Sequence, residues 1–143
     1  MVTHHSILLI DDSPGECELF RLALAQTGLD VTLFTEQNAD AAFHFLNNHS
    51  NLPTLILLDW HLGRQRGDEF LKRLRADSRL AAIPVVVFTT SDDASDLALA
   101  YASGANGYVV KPGTFAELIQ CAGDLCRYWL ERNRVPLTIG SPC

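Results

Sequence analysis

Three short runs of aliphatic residues constrain the fold of this chain more than any other feature of its sequence. They cover residues 7–10, 55–58 and 85–88, and each is rich in Ile, Leu or Val. Apolar runs of this length are typical of strands that are buried on both faces of a parallel sheet. Two weaker candidates, 31–34 and 108–110, would bring the number of strands to five.

Longer segments with helical periodicity lie between these runs. The first helix begins near Ser13, which can act as its N-cap, and Pro14, which suits a first turn; Gly28 ends it. The next three helices are predicted over 39–48, 68–76 and 94–103. A fifth begins at Thr114, with Glu117 three residues later as in a capping box, and its apolar stripe reaches Trp129.

This alternation predicts an α/β fold, namely a doubly wound parallel sheet with helices on both faces, joined by right-handed β-α-β units. A chain of 143 residues fits one compact domain. We expect that domain over 1–132 and a C-terminal tail over 133–143, where proline and glycine recur.

Charge and composition exclude several classes of function. A net charge of −6 argues against binding to nucleic acid or to an anionic membrane surface. No segment reads as a signal peptide or a membrane-spanning helix, so we expect a cytoplasmic protein. The four cysteines have no metal-site spacing, and we expect them to be thiols: Cys17, Cys121, Cys126 and Cys143.

Polar residues follow four of the five predicted strands, where open α/β sheets bind their ligands. Asp11 and Asp12 follow the first strand, Asp59 the third, Thr89 the fourth and Lys111 the fifth. Three carboxylates stay ionised together only if a cation offsets their charge, and oxygen-only ligands suit Mg²⁺. An aspartate in such a site can attack a phosphoryl group and form an acyl phosphate, while Mg²⁺ and the lysine neutralise the transferring oxygens.

These residues, together with the run 107–112 (Gly-Tyr-Val-Val-Lys-Pro), resemble the receiver domain of two-component response regulators. The resemblance covers about residues 6–129 and implies a flavodoxin-like sheet with the strand order 2-1-3-4-5. It also implies a protein that is not an enzyme, apart from catalysing its own phosphoryl transfer and dephosphorylation.

The resemblance implies a role for each matching residue. Asp59 would be the phosphorylated nucleophile, and Asp12, Asp59 and the backbone carbonyl of His61 would ligate Mg²⁺. Asp11 would act through a metal-bound water, and Lys111 would pair first with Asp59 and then with the phosphoryl group.

The resemblance also implies a conformational switch. Thr89 would move toward the phosphoryl group, and Tyr108 would swing inward to fill the space that the threonine leaves. His61 and Ser91 stand where side chains tune the rate of dephosphorylation in this family.

One loop departs from the family pattern. Gly63 stands where many receivers have proline, which predicts a more mobile loop, although Gly67 matches the family glycine. Arg64 and Arg66 make the same loop basic. They are either simply solvated or steer an anionic phosphoryl donor or a kinase surface.

We interpret the chain as a single-domain response regulator without an output domain. It would be phosphorylated by a histidine kinase, relay phosphate to a histidine phosphotransfer protein or drain it, or bind a target when phosphorylated. The long fifth helix and the loop sequence Trp-His-Leu-Gly-Arg resemble small regulators that partner phytochrome-type kinases (bacteriophytochromes). The nearly uncharged segment 97–102 suggests a homodimer through the fourth helix, fifth strand and fifth helix.

Three alternatives compete with this interpretation. A degenerate receiver would bind partners without phosphorylation, against which the intact acidic residues and Lys111 argue. A haloacid dehalogenase-type phosphatase would need a second aspartate two residues after the nucleophile, where this chain has His61. A flavodoxin-like nucleotide binder would need a glycine-rich loop after the first strand, where Asp11 and Asp12 would repel phosphates.

Overall fold

The computed structural model of the protein describes residues 5–136. Residues 1–4 and 137–143 lie outside it, and with them Cys143 and most of the predicted tail. The division into a domain over 1–132 and a tail therefore stays a prediction.

The predicted parallel sheet is present, and we number its strands β1 to β5. They are β1 Ser6–Ile10, β2 Thr32–Glu36, β3 Leu55–Leu58, β4 Val85–Thr89 and β5 Gly107–Val110. All pairs are parallel, in the order β2-β1-β3-β4-β5, as the resemblance implied. β2 begins and ends later than predicted because its pairing with β1 runs from Ser6 opposite Thr32 to Ile10 opposite Glu36.

Four α-helices connect the strands, and a fifth follows β5. They are α1 Pro14–Gln26, α2 Ala39–Asn48, α3 Gly67–Ala76, α4 Ala94–Ser103 and α5 Phe115–Cys126. The predicted caps are present: Ser13 accepts from the Glu16 amide and Thr114 from the Glu117 amide, both at 3.2 Å. Gly104 ends α4 with a φ of 116°, a left-handed conformation that glycine adopts without strain.

The sheet divides the core into two layers, because neighbouring residues of a strand point to opposite faces. Ile7 and Leu9 pack with α1 and α5, including Phe20. Leu8 and Ile10 face α2, α3 and α4. The strand ends are thereby held in one plane between two packed helical layers.

Two local features differ from the sequence-based expectations. The segment expected to be a mobile loop forms a hairpin, in which His61–Leu62 pairs with Gln65–Arg66; we call it the β3–α3 hairpin. Trp60 directly follows Asp59 in the sequence, which predicts a partly exposed neighbour of the site, but its side chain is only 4% exposed because it packs against Gly67.

The chain after α5 continues as one π-helical turn, Arg127–Arg132, so the predicted apolar stripe does extend past Trp129. Within residues 5–136, no helix combines the length and the apolar character needed to cross a bilayer. The three cysteines of that range are free thiols: Cys17, Cys121 and Cys126.

Candidate functional site

The backbone of the sheet fixes the residues that follow its strands. The Asp59 amide donates to the carbonyl of Ile10 at 2.9 Å, which joins the end of β3 to the end of β1. The Lys111 amide donates to the carbonyl of Thr89 at 2.8 Å, which joins the ends of β5 and β4 in the same way. All the predicted site residues that follow strands therefore lie at one edge of the sheet.

Three aspartates converge at this edge. One carboxylate oxygen from each of Asp11, Asp12 and Asp59 lies within 4.8 Å of the others. Asp11 is buried, Asp59 is half-buried and Asp12 is exposed. The sequence-based prediction of a shared acidic crevice agrees with this geometry.

Lys111 enters the crevice as its only cation among the described residues. Its Nζ lies 2.7 Å from Asp11 Oδ2 and 3.7 Å from Asp59 Oδ2, and its side chain is 9% exposed. The resemblance implied pairing with Asp59, but the nearer partner is Asp11, which is 1% exposed and has little other compensation for its charge. The Asp11 Oδ1 also accepts a hydrogen bond from the Ser13 amide at 3.0 Å.

Burial and charge act in opposite directions on the two central groups. Burial raises the pKa of Asp59 above its ordinary value; Lys111 opposes that shift and the charge of Asp11 adds to it. Burial alone would lower the pKa of Lys111, but the hydrogen bond to Asp11 and the two carboxylates raise it. Lys111 is thus held as an ammonium, while an ionised Asp59 is short of positive charge.

The donor set fits a hard divalent cation. It consists of oxygens only, it is open to solvent on the Asp12 side, and one ammonium does not balance three carboxylates. The His61 amide lies 3.4 Å from Asp59 Oδ1, so the backbone at residue 61 is beside the carboxylate. The use of the His61 carbonyl as a metal ligand remains a prediction.

Of the two predicted switch residues, Thr89 borders the same crevice and Tyr108 contacts the loop beside it. Thr89 is 1% exposed, and its hydroxyl is one of the groups that favour the charged form of Asp59 and lower its pKa. The Tyr108 hydroxyl donates to the carbonyl of Ser91 at 2.9 Å, in the loop that follows Thr89. The two residues are therefore connected through that loop.

Asp96 is a neighbour of the site that the sequence-based reasoning missed. It lies in the first turn of α4, where its Oδ2 accepts from Ser91 Oγ at 2.7 Å and lies 3.1 Å from His61 Nε2. Asp96 therefore links α4 to both residues for which the resemblance implies a role in dephosphorylation. No sequence signal marks it, since His61 is 35 residues away along the chain.

Comparison with known proteins supplies independent evidence. The sequence profile of the response regulator receiver domain matches residues 7–122. The chain is 35% identical over 134 residues to the probable methanogenesis regulatory protein FilR2 of Methanothrix harundinacea, covering 91% of this chain and 86% of FilR2. It is 32% identical over 135 residues to response regulator Rcp1 of Synechocystis sp., covering 91% and 92% of the two chains.

Solved structures agree with the sequence comparisons. The phosphorylated cyanobacterial phytochrome response regulator RcpA superposes with a TM-score of 0.84 and 29% identity, covering 94% of this chain and 99% of RcpA. The Mn²⁺-bound form of Rcp1 gives a TM-score of 0.79 and 31% identity, covering 92% and 99%. The predicted flavodoxin-like fold and the resemblance to phytochrome-associated regulators are confirmed.

Proposed function

Because the chain belongs to the response regulator receiver family, we propose that it accepts a phosphoryl group on Asp59 from a histidine kinase in a Mg²⁺-dependent reaction. One observation carries this proposal: Asp11, Asp12 and Asp59 share a crevice with a buried ammonium, Lys111, at the carboxyl edge of the sheet. A degenerate receiver has no need for this costly combination of charges.

The proposed step is a nucleophilic displacement at phosphorus. An Asp59 carboxylate oxygen attacks the phosphorus of a phosphohistidine, a P–O bond forms and the P–N bond breaks. The electron pair of that bond stays on the imidazole nitrogen, which takes up a proton. The reverse direction or hydrolysis removes the group, so the chemistry is confined to the protein's own phosphorylation and dephosphorylation.

Several residues around Asp59 compensate the negative charge of the transferring phosphoryl group. Lys111 keeps its proton and turns its ammonium from the carboxylate toward a phosphoryl oxygen, and Thr89 donates its hydroxyl to another. Asp12, Asp59 and the His61 carbonyl would hold Mg²⁺, with Asp11 acting through a water. When bound, Mg²⁺ would supply positive charge that offsets the negative charge of the transferring oxygens. The Mn²⁺-bound form of Rcp1 supports a divalent metal at such a site.

The partners follow from the same family. RcpA is described as a phytochrome response regulator, and its likeness to this chain supports a phytochrome-type histidine kinase as the phosphoryl source. A histidine phosphotransfer protein is the other candidate donor or acceptor. Both would meet the protein in the cytoplasm.

An apolar surface supports a homodimer as the signalling form. Leu97 and Tyr101 of α4, Val110 at the end of β5 and Phe115 of α5 are each 40–50% exposed. β5 is an edge strand, so this surface borders unpaired backbone. We expect a dimer in sedimentation velocity at tens of micromolar and a monomer for Tyr101→Glu. A wild-type monomer, with and without beryllofluoride, would contradict the dimer.

Intact-mass spectrometry after incubation with acetyl phosphate tests the function itself. We expect one phosphoryl increment that requires Mg²⁺ and is absent in Asp59→Asn. No increment together with no Mg²⁺ binding would favour the degenerate receiver. Tryptophan emission during Mg²⁺ titration reports metal binding, because Trp60 directly follows Asp59.

A further inference from the structure

The β3–α3 hairpin is held in place from both sides. Its two strands pair with each other, and the Gly67 amide donates to the Trp60 carbonyl at 3.3 Å. On the other side, Gln65 Oε1 accepts from the amide of Ala39, the first residue of α2, at 2.9 Å. Gly63 makes the turn with a φ of 62°. These contacts anchor both strands of the hairpin, and Gly63 and Arg64 form its tip.

The tip carries an arginine, Arg64, that has no partner within residues 5–136. The neighbouring Arg66 is neutralised by Asp68, with Nε 3.0 Å from Oδ1. The other arginines of the described chain without an ion-pair or hydrogen-bond partner are Arg132 and Arg134. Arg134 lines a cavity beside Pro84, at the opposite edge of the sheet. Arg64 is thus the unpaired guanidinium on the side of the acidic crevice.

The position of Gly63 fixes how near Arg64 comes to the carboxylates. A Cβ built on Gly63 would lie 3.6 Å from Asp12 Oδ2. Adding one Cα–Cβ bond and the spacing of consecutive Cα atoms puts the Arg64 Cα within about 9 Å of that oxygen. An arginine side chain covers most of this distance, so its guanidinium can reach the mouth of the crevice.

Negatively charged residues around this crevice repel an anionic phosphoryl donor as it approaches. Asp12, Asp92 and Asp93 are exposed around it, and the first turn of α1 adds Glu16. An unpaired, exposed guanidinium among these groups attracts a phosphoryl group before it reaches Asp59.

We propose that Arg64 is the donor-recognition residue of this protein, binding the phosphoryl group of the incoming donor and guiding it toward Asp59. The inference rests on the proposed phosphorylation of Asp59 and adds the residue that captures the donor. The ligand is a phosphoryl dianion, whether it is carried by a small molecule or by an imidazole.

The test compares the second-order rate of phosphorylation of the wild type, Arg64→Gln and the matched control Arg134→Gln. Acetyl phosphate and phosphoimidazole serve as donors, because the second carries the leaving group of phosphohistidine. At low ionic strength, we expect Arg64→Gln to be about three- to ten-fold slower with both donors and Arg134→Gln to equal the wild type. The difference should shrink below about two-fold in 1 M salt.

Three further readouts separate recognition from a structural effect. Arg64→Lys should recover most of the rate, while Mg²⁺ affinity and the hydrolysis rate of the acyl phosphate should not change in Arg64→Gln. Equal rates for Arg64→Gln and the wild type, or equal losses in both Gln variants, would overturn the inference. A loss with one donor alone would also overturn it, since recognition would then belong to the leaving group. A wild type that neither donor phosphorylates would overturn the proposed function instead.

Discussion

Replacing Lys111 by methionine removes the ammonium from the crevice and leaves the apolar part of the side chain. Two carboxylates lose their counter-charge: Asp11, at 2.7 Å from the lysine Nζ, and Asp59, at 3.7 Å. At an effective dielectric constant of about 20, these distances correspond to attractions of about 6 and about 4.5 kcal/mol. Much of this is offset because the ammonium no longer has to be taken out of water.

The free energy of unfolding should therefore fall by about 3 kcal/mol. This value is at the lower end of the destabilisation found when one partner of a buried ion pair is removed. For a domain of this size, that loss lowers the melting temperature by about 10 °C. Thermal unfolding followed by circular dichroism in EDTA measures it. Addition of Mg²⁺ should restore most of the loss, because a divalent cation then supplies the charge that the lysine gave.

Lys72→Met is the matched control for Lys111→Met. Lys72 pairs with Asp68 at 3.6 Å, but its side chain is 63% exposed, so its removal should cost less than about 1 kcal/mol. Equal melting temperatures of Lys111→Met and the wild type in EDTA would contradict this expectation. So would a Mg²⁺-induced rise in melting temperature that is no larger for Lys111→Met than for the wild type.

Substitutions at three further positions test other parts of the site and the fold. Burial raises the pKa of Asp59 in the folded state above its value in the unfolded state. The free energy of unfolding of the metal-free protein should therefore fall as the pH rises from the unfolded-state pKa to the folded-state pKa. Asp59→Asn should remove this decline and be the more stable protein at pH 7 in EDTA, which thermal melts between about pH 4 and 7 would check. Arg75 donates to the Gly104 carbonyl at 2.8 Å and to three other acceptors, so Arg75→Leu should cost about 3 kcal/mol in urea unfolding. Arg75→Lys should recover only a minor part, because an ammonium cannot replace the guanidinium fork. A Cβ at Gly67 would lie 2.5 Å from the Trp60 ring, so Gly67→Ala should cost about 1–3 kcal/mol and shift tryptophan emission.

The sheet and its acidic edge could be predicted because their signals are local. Leu55–Leu58 is an uninterrupted apolar run, and an aspartate directly after such a run must lie where the strand meets solvent. Ser13 and Thr114 are caps that depend on residues three positions away. Parallel topology then brings the strand ends together without any further information.

The remaining features depend on contacts between distant segments. Asp11 is the nearer partner of Lys111 although 100 residues separate the two in the sequence, because Asp11 lies deep in the crevice. The hairpin is held because Gln65 accepts a hydrogen bond from the first amide of α2 and Trp60 packs on Gly67, neither of which the basic sequence of the loop indicates. Likewise, only the structure distinguishes Arg64 from Arg66, since the ion pair of Arg66 with Asp68 depends on side-chain positions.

The proposed function requires that Asp59 itself carries the phosphoryl group. Borohydride reduces an acyl phosphate of aspartate to homoserine, so treatment of the phosphorylated protein followed by peptide sequencing in the mass spectrometer locates the modified residue. We expect homoserine at position 59, formed only when Mg²⁺ and a phosphoryl donor were both present. Homoserine at position 11 or 12, or a phosphoryl group that resists borohydride on a serine, threonine or histidine, would contradict it.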